Sequence, residues 1–297
     1  MSNGQDTITQ PAAAYSHRIG DIIVTAVHEG FNAMPLKDGF VRNADFGDVQ
    51  QAMRDEFLPT DTLNITFTPL VIRTGGETVL IDTGFADNGP PTAGFLRKNM
   101  AAASIDPGSL TKVVISHFHG DHINGLRSKA GEELYPNAQV LVPEVEWNFW
   151  TSEENKARAP EAMKPHFDNV ARIFGPIREK VETYAWDSEV APGVTAIDAS
   201  GHTPGHTAYT IASGNDRMIM ISDVTNHPAL FVRNPNWSPI FDIDPEKALE
   251  TRKRLLEMIA SERLQVAGYH LPFPGTGHLI KEADRYRLIP IQWMMVV

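Results

Sequence analysis

The stretch HFHGDH, residues 117–122, places three imidazoles and one carboxylate within six positions of a chain that holds only 11 histidines. The residues before it, Val113-Val114-Ile115-Ser116, are short and apolar, the pattern of a buried strand. Gly120 permits a sharp turn, so the cluster is not one uninterrupted strand face. The spacing predicts a loop at a strand end. His117 and His119 point to one place there, and Asp121 and His122 to a neighbouring one. Neutral imidazole and carboxylate suit zinc, manganese, iron or cobalt.

Three further segments set residues of the same type at strand ends. Gly201-His202-Thr203-Pro204-Gly205-His206 follows the strand-like Val194 to Ile197. Ser222-Asp223 closes the apolar run Met218 to Ile221, and His270 closes Gln265 to Tyr269. Strand ends hold side chains on a rigid scaffold, which a metal or catalytic site requires.

Composition narrows the class. The chain is 42% hydrophobic over 297 residues, enough for a substantial core. Its net charge of −11, with no basic block, argues against a nucleic-acid partner, which needs a positive surface to displace counterions. It argues equally against an anionic membrane. With no cysteine, disulfides, thiolate ligands and a cysteine nucleophile are excluded. No apolar run reaches membrane-span length, and the polar start shows no signal peptide, so a cytoplasmic enzyme is expected, or a periplasmic one if a leader has been removed.

Residues 1–17 read as a loose tail and 18–297 as one domain. Strands are expected at Asp21 to His28, Thr68 to Arg73, Thr78 to Ile81, Lys112 to Ser116, Ala138 to Val142, Thr207 to Ile211 and Tyr286 to Trp293. Helices are expected at Thr92 to Ala103, from Pro143 to Trp150, over Glu153 to Arg172 with breaks near Pro160 and Pro165, and at Asp244 to Glu262. Early hairpins followed by mixed βα units predict an α/β layered protein with mixed sheets.

HFHGDH, GHTPGH, the strand-end Asp223 and the strand-end His270 together resemble the metallo-β-lactamase superfamily, in order and spacing. The resemblance implies an αβ/βα sandwich with a two-metal site at the edge of its sheets. It implies that His117, His119 and His202 hold one metal, that Asp121, His122 and His270 hold the other, and that Asp223 bridges them. Two divalent ions are implied, zinc first, with manganese, cobalt or iron as alternatives. Asp82 and His206 would support the ligands from behind. The implied chemistry is hydrolysis by a metal-bridging hydroxide, with Asp223 helping to move the proton.

Within the superfamily, the absent cysteine separates this chain from many zinc β-lactamases. A β-like end rather than a helical one separates it from glyoxalase II. His270-Leu-Pro-Phe-Pro-Gly-Thr-Gly-His278 and Tyr286-Arg-Leu-Ile-Pro-Ile are similar to the methyl parathion hydrolase group, a likeness running from about Gly20 to Trp293. On that resemblance Trp150, Phe167 and Asn226 would line the substrate pocket. Departures at Val224 to Pro228 and Phe85 to Pro91 weigh against phosphotriesters. The expected substrate is therefore a small neutral lactone or aryl ester, with a phosphotriester as a further substrate the same pocket would admit. A dedicated organophosphate hydrolase and a non-catalytic metal-binding or sensor protein are the alternatives. His17, His28 and His166 read as ordinary surface or satisfied residues. The apolar end, Trp293 to Val297, suggests a homodimer.

Overall fold

A computed structural model describes residues 13–296. The first sheet has seven strands in the order β1 (Ala14–Ile19), β2 (Ile22–Val27), β5 (Leu70–Thr74), β6 (Glu77–Ile81), β7 (Lys112–Val114), β8 (Gln139–Pro143) and β9 (Val181–Tyr184). Between β2 and β5 the chain forms a separate hairpin, β3 (Gly30–Pro35) with β4 (Thr62–Phe67). The second sheet follows chain order: β10 (Glu189–Ala191), β11 (Val194–Asp198), β12 (Thr207–Ser213), β13 (Asp216–Met220), β14 (Gln265–Ala267), β15 (Thr276–Glu282) and β16 (Arg285–Pro290). The helices are α1 (Phe46–Asp55), α2 (Leu96–Ala102), α3 (Gly120–Ile123), α4 (Glu144–Trp150), α5 (Glu153–Arg158), α6 (Lys164–Phe174) and α7 (Pro245–Ser261).

Strand periodicity sorts the core into layers, because successive side chains point to opposite faces. Ile72, Val79, Ile81 and Val114 turn inward and meet Tyr209, Ile211, Met218 and Met220 of the second sheet. Their neighbours Val71, Leu80 and Val113 turn outward, under Leu96 and Met100 of α2 and Val170, Ile173 and Phe174 of α6. On the far side, Ala208, Ile219 and Val266 lie under Leu255, Leu256 and Ile259 of α7. The order is helix, sheet, sheet, helix, as the αβ/βα expectation had it.

Strand direction places the site. β6, β7, β8 and β9 are parallel, so Asp82, His117 and the start of α4 leave the same edge. β12 is antiparallel to both β11 and β13, and β13 is parallel to β14. The loops after β11, β13 and β14 therefore also share one edge, and they carry His202, Asp223 and His270.

Several boundaries differ from the sequence reading. Residues 14–17 of the expected tail are β1, paired to β2 from Ala14↔Val27 to Ile19↔Ile22; residues 1–12 lie outside the described residues. The helix expected from Thr92 begins at Leu96, because Gly94 takes φ +95° and its N–H goes to Glu29 instead of a helical carbonyl. The expected segment Glu153 to Arg172 is two helices, with Pro165 in the first turn of α6 where a missing N–H does no harm. α7 starts where expected, Asp244 Oδ1 accepting from the Lys247 N–H at 3.0 Å. The last strand stops at Pro290, short of Trp293. The β3–β4 hairpin and α1 lie outside the expected elements, although Leu63, Ile65 and Phe67 of β4 alternate with more exposed residues as a half-buried strand does.

Candidate metal centre and substrate cavity

The strand ends bring all seven donor side chains together in two adjoining groups. The donor atoms of His117, His119, His202 and Asp223 lie within 4.8 Å of one another, and so do those of Asp121, His122 and His270. His119 Nδ1 is 3.1 Å from His117 Nε2 and 2.9 Å from His202 Nε2. Asp121 Oδ2 is 3.5 Å from both His122 Nε2 and His270 Nε2. Asp223 lies between the groups: Oδ2 is 3.3 Å from His202 Nε2 and 3.0 Å from His270 Nε2, while Oδ1 is 3.1 Å from His122 Nε2.

The outer nitrogens of four imidazoles are already engaged. His122 Nδ1 reaches Asp82 Oδ2 at 2.8 Å, His202 Nδ1 reaches Asp242 Oδ1 at 2.9 Å, and His270 Nδ1 reaches the Thr66 carbonyl at 2.8 Å. His117 Nδ1 is 3.1 Å from Ser116 Oγ, whose own proton goes to Asp82. The outer N–H groups donate, so the inner lone pairs converge. His122 Nε2 and Asp223 Oδ1 are buried with no hydrogen-bond partner among the described residues. Converging lone pairs, orphaned buried atoms and two carboxylates are the environment a pair of divalent cations fits.

Electrostatics agrees with that fit. Burial and the neighbouring imidazoles push His117 and His119 well below the usual histidine range. Burial also disfavours charge on His202, yet Asp223 and Asp242 outweigh it and raise it to about 9. His122 goes up against its burial because Asp223, Asp121 and Asp82 surround it. With the outer nitrogens donating, the extra proton on His202 sits on Nε2, where a cation would sit. Metal binding therefore releases protons.

Asp82 and His206 both stand behind the cluster. Asp82 accepts from the Ser116 N–H at 2.8 Å as well as from His122, at φ +63°. His206 donates from Nδ1 to the Ala199 carbonyl and accepts the Asp223 N–H at Nε2, so neither of its nitrogens is free for a metal. Two glycines of the GHTPGH loop are required by close approach. A Cβ on Gly201, at φ +127°, would lie 2.2 Å from the Ala248 nitrogen, and one on Gly205 would lie 2.2 Å from the Glu146 nitrogen.

A cavity of about 790 Å³ opens on the cluster. Its walls include Met34, Ile65, Phe67, Phe85, Trp150 and Ile243, with Arg42, His166 and Asn226 as polar points. Trp150 and Asn226 thus line it, and Asn226 also donates to Asp223 Oδ2 at 3.0 Å. Phe167 does not. It is buried behind Trp150, ring centroids 4.7 Å apart, in the core under α6. His166, read from sequence as an ordinary residue, faces the cavity with its ring centroid 5.8 Å from that of His119. His17 is buried, and neither ring nitrogen has a partner among the described residues. Asp242, Arg252 and Glu146 escaped the sequence reading; the available signal was a carboxylate among apolar neighbours, Phe241-Asp242-Ile243 and Val145-Glu146-Trp147.

Residues 68–268, more than half of the chain, match the family model described as the metallo-beta-lactamase superfamily. The chain belongs to that superfamily. It is 23% identical over 252 residues to the N-acyl homoserine lactonase AiiA of Bacillus thuringiensis subsp. kurstaki, covering 78% of this chain and 88% of that one. Its fold is similar to that of AidC, a dizinc quorum-quenching lactonase in complex with a product, at a TM-score of 0.89 and 24% identity over 96% of this chain and 100% of the other. It is similar at the same TM-score to AbOPH, a hydrolase in the beta-lactamase superfamily, at 25% identity over 96% of this chain and 100% of that one. With the lactonase relatives and hydrolase-type neighbours, the chain is a metal-dependent hydrolase. No helix among the described residues is long and apolar enough to cross a membrane.

Proposed function

We propose that the protein hydrolyses lactones bearing an apolar arm, using two divalent cations, zinc first, held by His117, His119, His202 and Asp223 on one side and Asp121, His122, His270 and Asp223 on the other. The observation that carries this reading is the cavity: apolar for most of its wall, polar where it meets the histidine and aspartate cluster. The lactonase relatives support it.

Cations bound there supply Lewis acidity to the carbonyl and lower the pKa of water to about 7. The chain's own residues do the rest. Phe67, Phe85 and Trp150 exclude bulk water and seat the arm, which strengthens every charge interaction at the cluster. Asn226 donates to Asp223 Oδ2 and fixes its carboxylate plane. Asp223, a carboxylate that lies between the two donor groups, takes the proton of the attacking water. One C–O bond forms at the acyl carbon and the ring C–O bond breaks. The proton passes to the leaving alkoxide, giving a hydroxy acid.

The test is kcat/KM on one zinc-loaded preparation for N-hexanoyl homoserine lactone, dihydrocoumarin and methyl paraoxon. A lactone advantage of about a hundredfold over the phosphotriester, roughly 2.7 kcal/mol of transition-state preference, is expected. If methyl paraoxon is turned over faster, the cavity serves a tetrahedral phosphorus centre and the lactone reading fails.

A further inference from the structure

Helix α4 opens two residues before Glu146, a carboxylate with no solvent exposure and no role in the chemistry described above. Its two oxygens accept four hydrogen bonds. Oε1 takes the Phe118 N–H at 2.9 Å and the Trp150 Nε1–H at 2.8 Å. Oε2 takes the Thr203 hydroxyl at 2.8 Å and the Gly205 N–H at 2.7 Å. A carboxylate offers about four lone-pair sites, so the group is saturated. Burial alone pushes its pKa up, and the four donors pull against that.

The four donors come from three functional places. Phe118 lies between His117 and His119. Thr203 and Gly205 follow His202 within its own loop. Trp150 is the cavity wall. The two loops follow strands of different sheets and also meet where the Thr207 N–H donates to the Ser116 carbonyl at 3.1 Å and where His119 Nδ1 lies 2.9 Å from His202 Nε2. We infer that Glu146 is a positioning residue that sets the spacing of the His117/His119 loop against the His202 loop, and so the affinity of the His117, His119, His202 and Asp223 group for its cation, while holding Trp150 in place. This rests on the two-cation reading above.

Among the described residues, none of the four Glu146 hydrogen bonds goes to Asp121, His122 or His270, so the effect is selective. Glu146→Gln keeps the shape of the side chain but sets an NH2 group against two of the four donors. Chelator competition with zinc, read through a coloured zinc-binding dye, follows the two binding steps without recourse to activity. Wild-type protein binding two zinc ions is the control. If it does not bind two, the two-cation reading falls and this one falls with it. With two bound, Glu146→Gln is expected to weaken one step by about tenfold or more and leave the other nearly unchanged, in the range seen when residues behind metal ligands are lost. Two unchanged steps in a folded variant overturn the inference. So does equal weakening of both together with a lower Tm, which is what a purely structural carboxylate produces. Should Glu146→Gln not fold, Thr203→Val removes a single donor. It must weaken one step alone, to a lesser degree; unchanged binding there also overturns the inference.

Discussion

Asp242 joins His202 to a buried arginine: its Oδ1 is 2.9 Å from His202 Nδ1 and its Oδ2 is 3.3 Å from Arg252 Nη2. Both residues are almost fully buried. Arg252 also donates from Nε to the Val224 carbonyl at 2.7 Å, next to Asp223, and stands over the Phe231 ring at 5.4 Å. One guanidinium thus braces both the carboxylate behind His202 and the turn that carries Asp223.

Asp242→Ala should lower zinc affinity by about 10- to 100-fold, because His202 loses the partner that fixes its tautomer. It should also cost about 3–5 kcal/mol of stability, since Arg252 is left as an uncompensated buried charge. The two effects separate in the double variant Asp242→Ala/Arg252→Met, where stability recovers in part and zinc affinity does not. Denaturant melts and zinc titrations of both variants check this.

Asp223→Ala should lower kcat/KM by roughly 10²-fold or more, the scale of losing a positioned proton carrier, with a lower zinc content as well. Stripping the wild type with a chelator should abolish turnover, and added zinc should restore it. Full activity in Asp223→Ala would mean that the reaction occurs elsewhere.

Trp150 and Phe167 should part company. Phe167→Ala opens a core void and is expected to cost about 3–5 kcal/mol with KM for a lactone little changed. Trp150→Ala removes cavity wall and should raise KM. Steady-state kinetics beside thermal melts distinguishes them, and a raised KM in Phe167→Ala would return that ring to the cavity.

Burial holds His17 at about 4, below its ordinary 6.5. The unfolded chain takes up a proton near pH 6.5 and the folded one does not. The unfolded state therefore binds more protons in between, and stability falls as the pH drops from about 6.5 towards 4. His17→Leu should flatten that part of the curve. Tm measured for both proteins at pH 7 and pH 5 decides it: equal slopes would remove His17 as the cause.

The donor side chains of the candidate centre were legible in the residues alone. Donor chemistry is written in residue type, and HFHGDH, GHTPGH, Asp223 and His270 each follow a short apolar run that reads as a strand. The mixed layered fold was legible for the same reason, since alternation and turn signals act over a few residues. The rest depends on pairings between residues far apart in the chain. His202 meets Asp242 across 40 positions and Glu146 meets Thr203 across 57, and no local pattern encodes which carboxylate faces which loop. Phe167 and His166 are adjacent on α6, one in the core and one at the cavity. A helix turns about 100° per residue, so the packing of α6 on the sheet, not residue type, selects the one that faces the cavity.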